Sequence, residues 1–195
     1  MGKGGHLHNV AVYYGPVNKL AMSQPMLYYY PKPEDMEQEC EAGNHEGEEF
    51  RDEVNSNNEG HRIAMVSVYY DDFIYGIQAF YESNEGVIPG EVHLGTNAHD
   101  EDHKFKVKTL MLECDEHITE LSGRSGAWMD RLTLKTNKGN EIDVGGDGGG
   151  DFNMEIPEGM RVVSFFGGTG EYLNYIGAVV GPIPRCWKTS EFDDE

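Results

Sequence analysis

An all-β fold of short antiparallel strands is what this sequence predicts, on three observations. Gly supplies 25 of its 195 residues. Its apolar residues fall in short runs rich in Val, Ile, Tyr and Phe, separated by Gly-, Asn- and Asp-containing turns. Stretches with helical periodicity are scarce.

The elements follow in order. Two Tyr-rich runs, Asn9 to Tyr14 and Met26 to Tyr30, are bounded by Gly15-Pro16 and by Pro31 and Pro33, which predicts a strand pair with a loose connection. From Glu34 to Glu59 the chain is dominated by Asp, Glu, Asn and Gly, with Phe50 its one aromatic and Arg51 its one Lys or Arg, and reads as a solvated linker. Strands are then expected at Ile63 to Tyr69, Ile74 to Tyr81, Phe105 to Leu112, Ile118 to Ser122, Met129 to Thr136, Glu141 to Val144, Met160 to Gly167 and Tyr175 to Val180. Between them Asn84-Glu85-Gly86, Gly123 to Gly126, Asn137-Lys138-Gly139 and Gly145 to Gly150 supply turns in which positive φ is cheap. Evenly spaced short strands of this kind predict an antiparallel sandwich, barrel or prism.

The formal net charge is −20, from 35 acidic and 15 basic side chains. Such a surface repels phosphate backbones and anionic bilayers, so neither nucleic acid nor a membrane surface is expected as a partner. No apolar run has the length of a bilayer span or of a signal peptide, and an unsecreted, cytoplasmic location is the expectation. The Met1-Gly2 start carries His6 where a myristoylation signal has Ser or Thr. Cys40, Cys114 and Cys186 are odd in number and widely spaced, which predicts reduced thiols rather than a disulfide framework.

Four segments, in order, carry a resemblance to a known family: FIYGIQAFY (Phe73 to Tyr81), EHITELSGRSG (Glu116 to Gly126), RLTLKTNKG (Arg131 to Gly139) and FNMEIPEGMRVVSFFGGTGEYLNYIG (Phe152 to Gly177). Together they resemble the jacalin-related lectins. The resemblance implies a β-prism of three four-stranded antiparallel Greek-key sheets over residues 43–184, preceded by a strand-forming extension at 1–42 and followed by an acidic tail at 185–195. It also implies sugar binding at one end of the prism, without metal or cofactor. In the family a glycine near the first strand and a G-x-x-x-D loop near the last clasp one sugar. Phe50-Arg51-Asp52 resembles the step after the first loop and places Gly47 on the binding glycine, here flanked by Glu46 and Glu48. Gly170-Glu171-Tyr172-Leu173-Asn174 matches G-x-x-x-D, with Asn174 exchanging a two-oxygen acceptor for an amide. The resemblance implies that Glu171 offers its backbone N–H and that Tyr172 presents its ring to the pyranose face, with Arg124 at the rim.

No P-loop, Gly-x-Ser-x-Gly elbow or supported Cys-His pair is present in the sequence, and catalysis is not expected. His99 to His103 has HxxxH spacing but no helical pattern around it, and the Asp143, Asp147 and Asp151 group lacks the terminal Glu of an EF-hand loop, so both read as solvated loops, while His6-Leu7-His8 could bind a metal only adventitiously. The expected partner is a mannose-, glucose- or galactose-type carbohydrate or a glycoprotein, engaged weakly per site and strengthened by an oligomer or multivalent ligand. The rival reading is a structural or interaction protein that keeps the prism as a scaffold and docks protein partners through residues 1–42 by strand addition.

Overall fold

The structure, a computed structural model, describes residues 38–52, 62–83, 86–100 and 104–183. Twelve strands run through them: β1 (Gln38–Gly43), β2 (Glu48–Arg51), β3 (Arg62–Tyr70), β4 (Ile74–Ser83), β5 (Gly86–Leu94), β6 (Lys106–Met111), β7 (Ile118–Ser125), β8 (Met129–Thr136), β9 (Glu141–Gly145), β10 (Gly150–Glu155), β11 (Met160–Thr169) and β12 (Leu173–Pro182). They form three four-stranded antiparallel sheets, ordered β1-β12-β11-β2 (sheet A), β5-β4-β3-β6 (sheet B) and β10-β7-β8-β9 (sheet C). In each, a central hairpin is flanked by strands that are joined to each other elsewhere, the Greek-key arrangement of a β-prism.

Alternation builds the core. Val66, Val68, Ile77 and Ala79 of sheet B, Leu121, Leu132, Leu134 and Ile142 of sheet C, and Phe165, Ile176 and Ala178 of sheet A are almost wholly buried and meet in one cluster. Ion pairs dress the outer face of sheet C, with Arg131 on Asp143 at 2.8 Å and Lys135 on Glu120 at 2.8 Å.

Two expectations are corrected here. The stretch 34–59 is not uniformly a linker, because it contains β1 and β2, and sheet A therefore begins at Gln38, ahead of the boundary expected at 43. The reason is pairing. β1 makes a six-residue ladder with β12 from Gln38↔Val180 to Gly43↔Tyr175, and Cys40 packs against the core between exposed glutamates. β5 and β10 lie in stretches where no strand was expected, each beginning at the last residue of an expected turn, Gly86 and Gly150. The Tyr-rich runs 9–14 and 26–30, and the tail 185–195, lie outside the described residues.

One end of the prism is built three times from the same plan. The central hairpins close at Thr169↔Leu173, Tyr70↔Ile74 and Ser125↔Met129, each just after a register shift, leaving three-residue loops 170–172, 71–73 and 126–128. In every loop the first N–H donates to the third carbonyl: Gly170 to Tyr172 at 2.8 Å, Asp71 to Phe73 at 3.0 Å and Gly126 to Trp128 at 2.9 Å. The third side chains, Tyr172, Phe73 and Trp128, meet one another with ring centroids 4.8–5.5 Å apart and mark a pseudo-threefold axis. Two positions after each aromatic stands Asn174, Tyr75 or Asp130. Its carbonyl accepts an N–H from the neighbouring return loop, from Asn44 at 3.1 Å, Gly95 at 2.8 Å and Gly146 at 2.8 Å respectively.

Candidate sugar-binding site

The structure brings Gly47, Gly170 and Asn174 together at this end of sheet A. Gly47 has φ +98°, and a Cβ there would strike the Thr169 carbonyl and come within 3.2 Å of the Gly170 nitrogen. The position therefore requires glycine twice over, for the left-handed backbone and for the close approach. From the other side, a Cβ on Gly170 would stand 3.1 Å from Asn174 Oδ1. Glu46, Gly47 and Glu48 are all exposed, so the acidic flanks of Gly47 are directed at solvent.

The loop's backbone is held in one orientation. The N–H groups of Thr96 and Asn97, at the start of a 3-10 turn (Thr96–His99), donate to the carbonyls of Gly170 at 2.8 Å and Glu171 at 3.1 Å. Peptides are planar, and no cis bond occurs among the described residues, so the N–H groups of Glu171 and Tyr172 point away from that turn. Two adjacent donors thus face the same way beside Gly170. Asn174 is 5% exposed, and no donor among the described residues reaches its buried Oδ1. An acceptor left so costs about 1–3 kcal/mol.

Two expected contacts fall elsewhere. Tyr172 is 8% exposed, with its ring packed against Phe73, Tyr75 and Trp128, so it is a wedge on the pseudo-threefold axis and not an open platform. The aromatic drive to bury three rings together outweighs presentation to solvent. The Arg124 guanidinium is engaged with another loop. Its Nε donates to Gly148 O at 2.7 Å, Nη2 to Gly149 O at 2.9 Å and Nη1 to Asp151 at 2.5 Å, which spends the guanidinium on bracing the loop between β9 and β10. The supporting residues Asn44, Gly95, Thr96 and Asn97 were not legible in the sequence, because their part is played by backbone groups brought close only by strand pairing and by the meeting of loops from sheets A and B.

Among the described residues no group of His, Cys, Asp and Glu is placed to hold a metal, and no helix is long and apolar enough to cross a membrane. His99 ends the 3-10 turn, whereas His6, His8 and 101–103 lie outside the described residues.

Known proteins share the family and the fold of this chain. Jacalin-related lectin 5 of Arabidopsis thaliana is 28% identical over 128 residues, which is 63% of this chain and 16% of that protein. Horcolin of Hordeum vulgare is 29% identical over 79 residues, 38% of this chain and 54% of horcolin. The chain thus spans well under two thirds of these curated relatives. Among solved structures, the artocarpin–mannotriose complex superposes with a TM-score of 0.62 at 25% identity over 73% of this chain and 95% of artocarpin. Frutalin from Artocarpus incisa gives 0.61 at 25% identity, covering 73% and 93%. The family model for the jacalin-like lectin domain matches residues 40–179, most of the three-sheet prism, and the chain belongs to that family.

Proposed function

We propose that this protein is a carbohydrate-binding lectin that takes a neutral hexopyranose, mannose-type first, at the sheet A hairpin. The observation that carries the reading is the unmet acceptor Asn174 Oδ1, set against Gly170 and next to the aligned N–H groups of Glu171 and Tyr172. A sugar hydroxyl both donates and accepts. One hydroxyl can donate to Asn174 Oδ1 while its neighbour accepts from the loop, and the glycines at 47 and 170 leave room for the ring. The crystallised artocarpin complexes with mannotriose and mannopentose support mannose as the first sugar to test.

The test is an NMR titration of ¹⁵N-labelled protein with methyl α-mannoside, methyl α-glucoside and methyl α-galactoside. One of these sugars should shift the amides of Gly47, Gly170 and Glu171, with the response lost in Asn174→Ala. In Asn174→Asp it should strengthen, because a carboxylate accepts more strongly than an amide. Unmoved amides at all three residues, in a folded protein at high sugar concentration, would sink the proposal and leave the prism as a scaffold for protein partners.

A further inference from the structure

The sheet edges are β1 and β2 in sheet A, β5 and β6 in sheet B, and β9 and β10 in sheet C. β1, β2, β5, β9 and β10 all carry Asp or Glu, and β5 is further interrupted by Pro89. β6, with the sequence Lys-Val-Lys-Thr-Leu-Met, carries no acid. In a chain of net charge −20 this edge is the exception.

We propose that β6 is a docking edge for a protein partner, which adds to sheet B an extended segment of alternating acidic and apolar residues. The backbone of the edge is open. The Leu112 N–H donates to Ala64 O at 2.9 Å, and β6 pairs with β3 without a register shift, so Lys106, Lys108 and Leu110 turn their peptide groups towards β3. Val107, Thr109 and Met111 turn theirs the other way, where the backbone N–H and C=O groups meet no hydrogen-bond partner among the described residues. Such a row is the template on which an incoming strand pairs.

Apolar surface lies along the same strand. The large apolar side chains left exposed among the described residues are all on β5 and β6, with Val107 at 51% and Met111 at 53%. These two stand opposite the half-buried Tyr69 and Met65 of β3. Charge completes the edge. Arg51, Arg62, Arg124, Arg131, Lys135 and Lys138 each sit on a carboxylate, and Arg161 is buried. Lys104, Lys106 and Lys108 are exposed and make no ion pair among the described residues. Lys106 and Lys108 fall on the opposite face of the strand from Val107 and Met111. A segment laid beside β6 therefore places apolar residues opposite Val107 and Met111 and acidic ones opposite Lys106 and Lys108, which sets the alternation of the partner. The lysines also act against a second copy, because β6 paired with β6 would bring lysine beside lysine.

The test uses the full ¹⁵N-labelled chain and blocked peptides of about eight residues, one alternating Glu and Val, the other Lys and Val. The Glu–Val peptide should shift the amides of Val107, Thr109 and Met111 and slow their exchange with solvent, since each gains a hydrogen bond, whereas the Lys–Val peptide should leave them unmoved. The double variant Lys106→Glu/Lys108→Glu should raise the apparent Kd of the Glu–Val peptide about tenfold or more and admit the Lys–Val peptide instead. Val107→Pro removes an N–H that the fold does not use, so it should abolish binding of the Glu–Val peptide while the thermal midpoint stays near that of the wild type. Should either variant fail to fold, the wild-type responses to the two peptides decide alone. Equal responses to both peptides, shifts absent or confined to another edge, or binding that survives Val107→Pro overturn the proposal. So do β6 shifts that follow protein concentration with no peptide present, which mark a face shared by two copies. β6 belongs to a different sheet from the sugar-binding hairpin, so the outcome does not depend on that reading.

Discussion

Glu116 is almost fully buried, yet it is held below its ordinary value of 4.5. Burial works against its charge, but hydrogen bonds prevail: from the Thr136 hydroxyl at 2.5 Å, the Glu113 N–H at 3.1 Å and the Asn140 amide at 2.7 Å. Because the folded carboxyl titrates below the unfolded one, its contribution to stability is complete above the ordinary value and is lost as pH falls through the folded value. Glu116→Gln should cost about 1–3 kcal/mol at neutral pH. Urea titrations should show that gap closing as pH falls below the ordinary carboxyl range. The residue ties the connection before β7 to the turn between β8 and β9. At this scale the sequence was partly legible: Asn137-Lys138-Gly139 announced the turn, but nothing local marked Glu116 as the acid that the turn would enclose.

Among elements, the four strands missing from the sequence reading, β1, β2, β5 and β10, are all sheet edges, whereas every central strand was located. An edge strand has one paired side and little apolar burial, so alternation is faint. β5 even contains Pro89, which an edge tolerates because one row of N–H groups needs no partner. Sheet A shows what such edges rely on. Gly177 of β12 leaves space for the Phe166 ring of β11, and the Arg51 guanidinium of β2 lies over that ring, 4.6 Å from its centroid. A Cβ at 177 would enter the Phe166 ring, so Gly177→Ala should cost about 1–3 kcal/mol by overpacking. Thermal melts of Gly177→Ala and the Phe166→Leu/Gly177→Ala double variant provide the check. The second change should recover part of the loss, which a purely backbone effect of the alanine would not allow.

For the whole molecule, the joint between sheets A and B is polar. Asp52, just after β2, accepts the Tyr81 hydroxyl of β4 at 2.5 Å and lies 2.7 Å from His93 Nε2 of β5, and all three residues are buried. The Phe50 ring stacks on His93 with centroids 3.9 Å apart. Burial, with the Asp52 carboxylate facing it, pushes the Tyr81 hydroxyl well above the usual phenol range, so it remains a donor. Asp52→Ala strands both partners in the interior and should destabilise the prism by about 2–5 kcal/mol. Asp52→Asn, which keeps one acceptor, should cost less. Denaturant unfolding of the two variants orders them. Since β2 begins next to Gly47, the alanine variant should also weaken sugar binding at sheet A, read from the same amide shifts.

By itself the sequence determined the all-β class and the central strands, because alternation and turn chemistry are written in neighbouring residues, whereas Gly47 and Gly170 were singled out by the family resemblance. Only the tertiary structure decided that Tyr172 turns inward, that Arg124 braces a glycine loop, and that Asp130 stands in sheet C where Asn174 stands in sheet A. Those outcomes depend on residues far apart in the chain, which the closure of three sheets around one axis brings within reach.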